Sequence, residues 1–136
     1  MRRRFLSAMG TSLFVFAGIA ATASPGYAIG NGVCSTGEYC YYQNSNYGPS
    51  VLDDFSSTPD FNTIYYYNTS TTPNDRTSSV WNRSTSQVMY LYQDHGYSGN
   101  KSCFGLNRST ATLPNSTYGN LGNDSASSML TASSCP

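Results

Sequence analysis

The stretch Asn74-Asp75-Arg76-Thr77-Ser78-Ser79 returns forty-nine residues later as Asn123-Asp124-Ser125-Ala126-Ser127-Ser128. Its surroundings return with it. EYCYYQNSNYGPS (Glu38 to Ser50), set above VMYLYQDHGYSGN (Val88 to Asn100), brings Tyr42-Gln43 onto Tyr92-Gln93. The same alignment, at an offset of fifty, brings Asn44 onto Asp94 and Tyr47 onto Tyr97. The apolar pairs Val80-Trp81 and Met129-Leu130 then follow the two matching stretches. A chain rich in Asn, Ser and Thr can meet one such pattern by accident, but two in register are far harder to obtain. The chain therefore reads as two tandem units of roughly fifty residues, each a copy of one supersecondary motif.

Each unit has the grammar of strands. Tyr39 to Tyr42, Ile64 to Tyr67 and Met89 to Tyr92 are short aromatic or β-branched runs, separated by Asn, Gly, Pro and Ser clusters that suit turns. No stretch carries a helical period of useful length. Two copies of about four short strands predict an all-β domain, an antiparallel double sheet with Greek-key links.

The N-terminus reads differently. Arg2, Arg3 and Arg4 precede an apolar run from Leu13 to Ala21, and small residues follow. That is the pattern of a secretory signal peptide over residues 1–28, too short for a membrane span. Cleavage after Ala28 is favoured, with Ala23 the alternative, and Arg-Arg-x-Phe-Leu resembles a twin-arginine export signal. The expected domain is then residues 29–136, with motif one at about 34–84 and motif two at about 85–136. It keeps all seven carboxylates but only Arg76, Arg83, Lys101 and Arg108, a net charge of −3. A weakly acidic surface without a basic cluster repels phosphate backbones, which argues against nucleic acid as a partner. Four cysteines in an exported protein imply two disulfides, with three pairings open. Cys34 with Cys40 and Cys103 with Cys135 is the favoured set; free thiols or a zinc site are disfavoured, since no His or Cys cluster has zinc-like spacing.

The residues also carry a resemblance. Tyr92-x4-Tyr97-x-Gly99 is similar to the folded-hairpin signature of βγ-crystallins, and both N-D-x-x-S-S stretches resemble the calcium motif of their microbial members. CSTGEYCYYQNSNYGPS (Cys34 to Ser50) resembles the opening of peptidase inhibitor family I36, a secreted bacterial group with a βγ-crystallin-like fold. The resemblance spans nearly all of residues 29–136 and implies a double Greek-key sandwich. One departure stands out: motif one has Pro49 where the signature has Gly. Proline cannot take a positive φ, so either Gly48 does so with the hairpin shifted by one, or the first hairpin is irregular.

Calcium takes six to eight oxygen ligands at flexible angles, and the two stretches supply such oxygens. Asp75 and Asp124 bring carboxylates, Asn74 and Asn123 amides, Ser78 and Ser127 hydroxyls, and Arg76 and Ser125 backbone carbonyls. Ser79 and Ser128 are expected to hold the loop shape by bonding backbone. The resemblance implies two Ca2+ ions clamped reciprocally, with hairpin carbonyls near Asn44 and Asp94 completing the shells. With about one carboxylate per site, affinity is expected at roughly 10⁻⁶ to 10⁻³ M, a range that suits an exported protein.

Catalysis has little support. His95 is the single histidine, placed in a hairpin, no Ser or Cys has a nucleophile motif, and Asp53-Asp54 reads as a solvated turn. The family resemblance implies instead a secreted proteinase inhibitor whose partner is an extracellular protease, thermolysin-type metalloproteases being among that group's targets. A tethered loop around Cys103 and Phe104 would suit this role, because such enzymes favour a bulky apolar residue just after the scissile bond. Leu106 is an alternative in the same segment, and Phe104 as a core strand residue is the competing reading. The alternative function is a non-inhibitory, calcium-stabilised structural or binding module. The expected state is a monomer that engages no membrane.

Overall fold

The computed structural model describes residues 30–113, 116 and 118–136. The expected signal peptide lies outside the described residues. The strands are β1 (Tyr39–Tyr42), β2 (Val51–Asp54), β3 (Ser79–Asn82), β4 (Val88–Asp94), β5 (Ser98–Phe104), β6 (Ser109–Thr110), β7 (Tyr118–Gly119) and β8 (Ser128–Ala132). They form two four-stranded sheets, ordered β2-β1-β3-β6 and β7-β5-β4-β8, with every pairing antiparallel. The expected all-β double sheet is what forms.

Each sheet borrows from the other half of the chain. β6 follows β5 in motif two, yet it pairs with β3 of motif one, Val80 opposite Thr110 and Trp81 opposite Ser109. In return Thr58, from motif one, bridges Met129 on β8 through two backbone hydrogen bonds of 2.8 and 2.9 Å. Exchange of this kind ties the two motifs into one body: the first sheet takes an edge strand from motif two, and the second is bridged at β8 by Thr58 of motif one.

The period-two alternation of the strands explains the core. Tyr39 and Tyr41 of β1, Met89 and Leu91 of β4 and Phe104 of β5 point between the sheets. Leu52, Phe61, Tyr66, Val80, Leu113, Leu121, Ala126 and Met129 complete that layer. The opposite faces are also covered. Cys40, Tyr42 and Val51 pack with Cys34 and Trp81 outside one sheet, and Val88, Tyr90, Tyr92 and Cys103 pack with Cys135 outside the other. The disulfides hold those outer layers: Cys34–Cys40 and Cys103–Cys135 both form, each with 5.9 Å between Cα atoms. Cations finish the cover, with Arg83 over the Trp81 ring at 4.8 Å and Lys101 over Tyr90 at 5.1 Å.

Two local expectations change, and one open alternative is decided. Ile64 to Tyr67 is not a strand. Tyr66 is buried and Tyr65 and Tyr67 exposed, so the alternation is real. The backbone, however, makes one bond to the β2 edge, Tyr67 N–H to the Val51 carbonyl, before Asn68 turns away at φ 54°. Asp53 and Asp54 are not a solvated turn; both lie buried in β2. Asp53 accepts the Asn31 and Gly32 amides at 2.9 and 3.0 Å, and Asp54 accepts the Phe55 amide at 2.6 Å and the Thr58 hydroxyl at 2.8 Å. A carboxylate met by several N–H and O–H donors can be buried without a cationic partner. The first hairpin is irregular rather than shifted. Asn46 and Tyr47 take φ of 56° and 57°, matching Gly96 and Tyr97 at 65° and 63°, whereas Gly48 is not left-handed. Gly48 is small for another reason: a Cβ there would lie 2.7 Å from the Asn44 Cβ.

Candidate functional site

Asp75 and Asp124 each occupy the second position of their stretch with φ near 50°, a left-handed conformation that Asp tolerates better than most residues. That turn swings each carboxylate out of its own motif toward the other. The Asp75 amide donates to the Ala126 carbonyl at 2.9 Å, and the Asp124 amide donates to the Thr77 carbonyl at 3.2 Å. The two loops thus grip one another by a matched pair of backbone bonds, an approximate twofold arrangement.

The side chains cross in the same way. Ser78 Oγ lies 2.6 Å from Asp124 Oδ1, and Ser127 Oγ lies 3.2 Å from Asp75 Oδ1. Each loop is seated on the hairpin of its own motif. The Ser78 amide donates to the Tyr42 carbonyl at 2.9 Å and the Ser127 amide to the Tyr92 carbonyl at 2.8 Å. Ser79 and Ser128 hold the loop shape: their hydroxyls donate to the Asn44 and Asp94 carbonyls, each at 2.6 Å, and accept the Tyr47 and Tyr97 amides, each at 3.1 Å.

Those last bonds relocate one expected contribution. The Asn44 and Asp94 carbonyls serve the terminal serines of the loops. The carbonyl beside Ser78 Oγ is that of Gln43, at 2.9 Å. Gln43 aligned with Gln93 in the repeat, so the signal was present, but which carbonyl turns inward depends on the hairpin's backbone geometry. Asn74 and Asn123 donate their amide nitrogens to the neighbouring Asp75 and Asp124 at 2.9 and 2.7 Å. The Asn74 oxygen is left buried with no hydrogen-bond partner. The Arg76 carbonyl accepts the Tyr66 hydroxyl at 3.0 Å, and the Ser125 hydroxyl donates to the Gly122 carbonyl at 2.7 Å. Burial pushes the Tyr66 phenol well above its ordinary pKa, so it stays a neutral donor beneath the first loop.

A cleft of about 510 Å³ opens over the first loop, walled by Gln43, Asn44, Asn74, Asp75, Arg76 and Asp124. Asn62 and Thr72 also line it, and neither was legible as a site residue. The wall is oxygen-rich. Among the described residues no three His, Cys, Asp or Glu side chains cluster in a way that would hold a metal ion. Coordination here would rest on amide, hydroxyl and carbonyl oxygens with single carboxylates.

The two residues expected as an inhibitory loop are not in a loop. Cys103 and Phe104 end β5, each 1 % exposed, and Cys103 has ladder partners on both sides, Tyr90 and Tyr118. Phe104 packs between the sheets, as a strand residue must when its neighbour faces out. The backbone that joins them therefore runs within the sheet rather than on an exposed loop. His95 is half-exposed and pairs with Asp60 at 3.1 Å and Asn62 at 3.3 Å.

A solved chain from work on the evolution of the eye lens βγ-crystallin domain fold is similar at 22% identity and a TM-score of 0.59. The match covers 76% of this chain and 96% of that one. A βγ-crystallin from Ciona intestinalis matches at 23% identity and TM-score 0.55, covering 71% and 100% of the two chains. One from an archaeon matches at 19% and 0.54, covering 72% and 100%. At these identities the likeness concerns the fold, which is βγ-crystallin-like. No curated protein matches the chain. Residues 28–104, more than half of the sequence, match a family of peptidase inhibitors rather than of enzymes. The chain belongs to peptidase inhibitor family I36.

Proposed function

We propose that the chain is a secreted, calcium-binding peptidase inhibitor acting on metalloproteases. Family membership supports inhibition, and the leader-like N-terminus with two disulfides supports export. The observation that carries the calcium reading is the convergence on Ser78. Its hydroxyl lies 2.6 Å from Asp124 Oδ1 and 2.9 Å from the Gln43 carbonyl, and one proton cannot satisfy two acceptors. Crowded oxygens short of hydrogens, beside a buried Asn74 oxygen without a donor, make a site that a hard cation fits. Ser78, Asp124, Asn74 and the Gln43 and Arg76 carbonyls would hold one ion; Ser127, Asp75, Asn123 and the Ser125 carbonyl would hold the other. When bound, calcium supplies positive charge to oxygens that otherwise repel one another across the motif boundary.

Two measurements test the reading. Melting of the disulfide-intact protein should shift upward when chelator is replaced by calcium, and an unchanged midpoint would remove calcium from the account. A panel of metallo-, serine and cysteine proteases should include at least one thermolysin-type enzyme inhibited at or below micromolar protein. No inhibition of any member would leave a calcium-stabilised module without inhibitory action.

A further inference from the structure

The chain passes from β5 to β6 through Gly105-Leu106-Asn107-Arg108. The Arg108 amide donates to the Gly105 carbonyl at 3.3 Å, closing a four-residue turn, and Asn107 takes the left-handed φ of 51° that this turn needs. Leu106 stands at the tip, 47 % exposed. About half of this aliphatic side chain is offered to water on a tight turn.

Much of the architecture below serves to hold that turn. Asn82, at the end of β3, is wholly buried. Its side-chain nitrogen lies within hydrogen-bond reach of the Phe104 and Gly105 carbonyls at 3.1 and 2.9 Å and of the Gln87 carbonyl at 3.1 Å, with two hydrogens shared among the three. Its side-chain oxygen accepts the Ser84 amide at 2.9 Å, and its backbone amide donates to the Arg108 carbonyl at 2.8 Å. The Asn107 amide adds a bond to the Ser84 carbonyl at 3.3 Å. Upstream, Cys103 is bolted to Cys135; downstream, β6 is paired to β3. Both flanks and the floor of the turn are fixed before any partner arrives, so docking would order few further groups.

Resting on the peptidase-inhibitor reading, we infer that this turn is the surface that meets the protease, with Leu106 filling the enzyme's specificity pocket. The partner is a protease whose pocket accepts a bulky aliphatic side chain. The turn begins immediately after residue 104, where the match to the family ends. A turn closed by its own Gly105–Arg108 bond does not lie extended in a substrate cleft. Contact is therefore by insertion of the Leu106 side chain, not by strand pairing.

The test compares the full-length wild type with Leu106→Ala and Tyr65→Ala, a second exposed apolar residue, against the same protease panel, with melting of each protein as a folding control. Truncating a central anchor should raise the inhibition constant of Leu106→Ala roughly 10- to 30-fold. Its melting midpoint should stay at the wild-type value, and Tyr65→Ala should inhibit like wild type. If Leu106→Ala inhibits as strongly as wild type, or Tyr65→Ala alone loses potency, the assignment of the turn is wrong while the inhibitor reading survives. If wild type inhibits no protease, both fall together.

Discussion

Replacing Asp124 by Ala probes the crossing of the two loops most directly. Asp124 belongs to motif two, yet its Oδ1 sits 2.6 Å from Ser78 of motif one. At a hundredfold excess over Kd, each calcium ion should add about 2.7 kcal/mol by binding only the folded state, so two ions add about 5 kcal/mol. For a domain of about 100 residues, where each kcal/mol moves the midpoint by about 4 °C or more, wild type should melt roughly 20 °C higher in calcium than in chelator. Asp124→Ala should lose the ion held on the motif-one loop and keep the other, which halves the shift to roughly 10 °C. Without calcium the variant also loses the hydrogen bonds from Ser78 and Asn123, a cost of about 1 kcal/mol for this partly exposed pair. Calorimetric melting with calcium and with chelator reads the shift, and isothermal titration reads the stoichiometry, expected to fall from two to one. A variant that still binds two ions would show that the carboxylate does not cross between motifs as a ligand, and the reciprocal scheme would be wrong.

Phe104→Ala should destabilise by about 3–5 kcal/mol in a urea titration, because the ring is 1 % exposed between the sheets; unchanged stability with lost inhibition would restore Phe104 as the contact residue. Cys103→Ser with Cys135→Ser should cost about 3–4 kcal/mol, and Cys34→Ser with Cys40→Ser less, since the bridges span 32 and 6 residues. Burial raises the Glu38 carboxyl above its ordinary pKa, opposed by the Ser35 amide it accepts, with the Asp53 charge adding to the rise. A raised folded-state pKa favours the protonated form, so the stabilising contribution is complete at acid pH and is lost as pH rises through the folded pKa. Glu38→Gln, which keeps an acceptor for Ser35, should therefore gain on wild type as pH climbs from about 4 to 7, read from denaturation midpoints across that range; a gap that closes with rising pH would contradict it.

Much of the fold and half of the site were legible because they follow from chemistry carried by single residues and short spacings. Tyr39–Tyr42 and Val88–Asp94 are strands because short aromatic-rich apolar runs there are set off by turn residues, and the Asn, Asp and Ser oxygens recur at turn positions in both motifs. The same local grammar failed at Ile64 to Tyr67. Alternation sorts faces but cannot supply a neighbouring strand, and only one ladder bond was available there. Asp53 and Asp54 look like solvent-seeking residues in isolation, and become buried acceptors only when residues from Asn31 to Thr58 bring them donors.

Repeat, turns, cysteine count and the oxygen donors were written into the order of residues, since each is carried by residue identities and spacings that can be read along the chain. Three matters waited for the chain to close on itself: which half completes which sheet, which carbonyl faces Ser78, and whether the apolar side chain near Cys103 points inward or outward. β6 crosses to β3, Gln43 rather than Asn44 meets Ser78, and Phe104 faces the core while Leu106 faces water. Each outcome is set by contacts between residues distant in the chain, whose geometry no local pattern of letters contains.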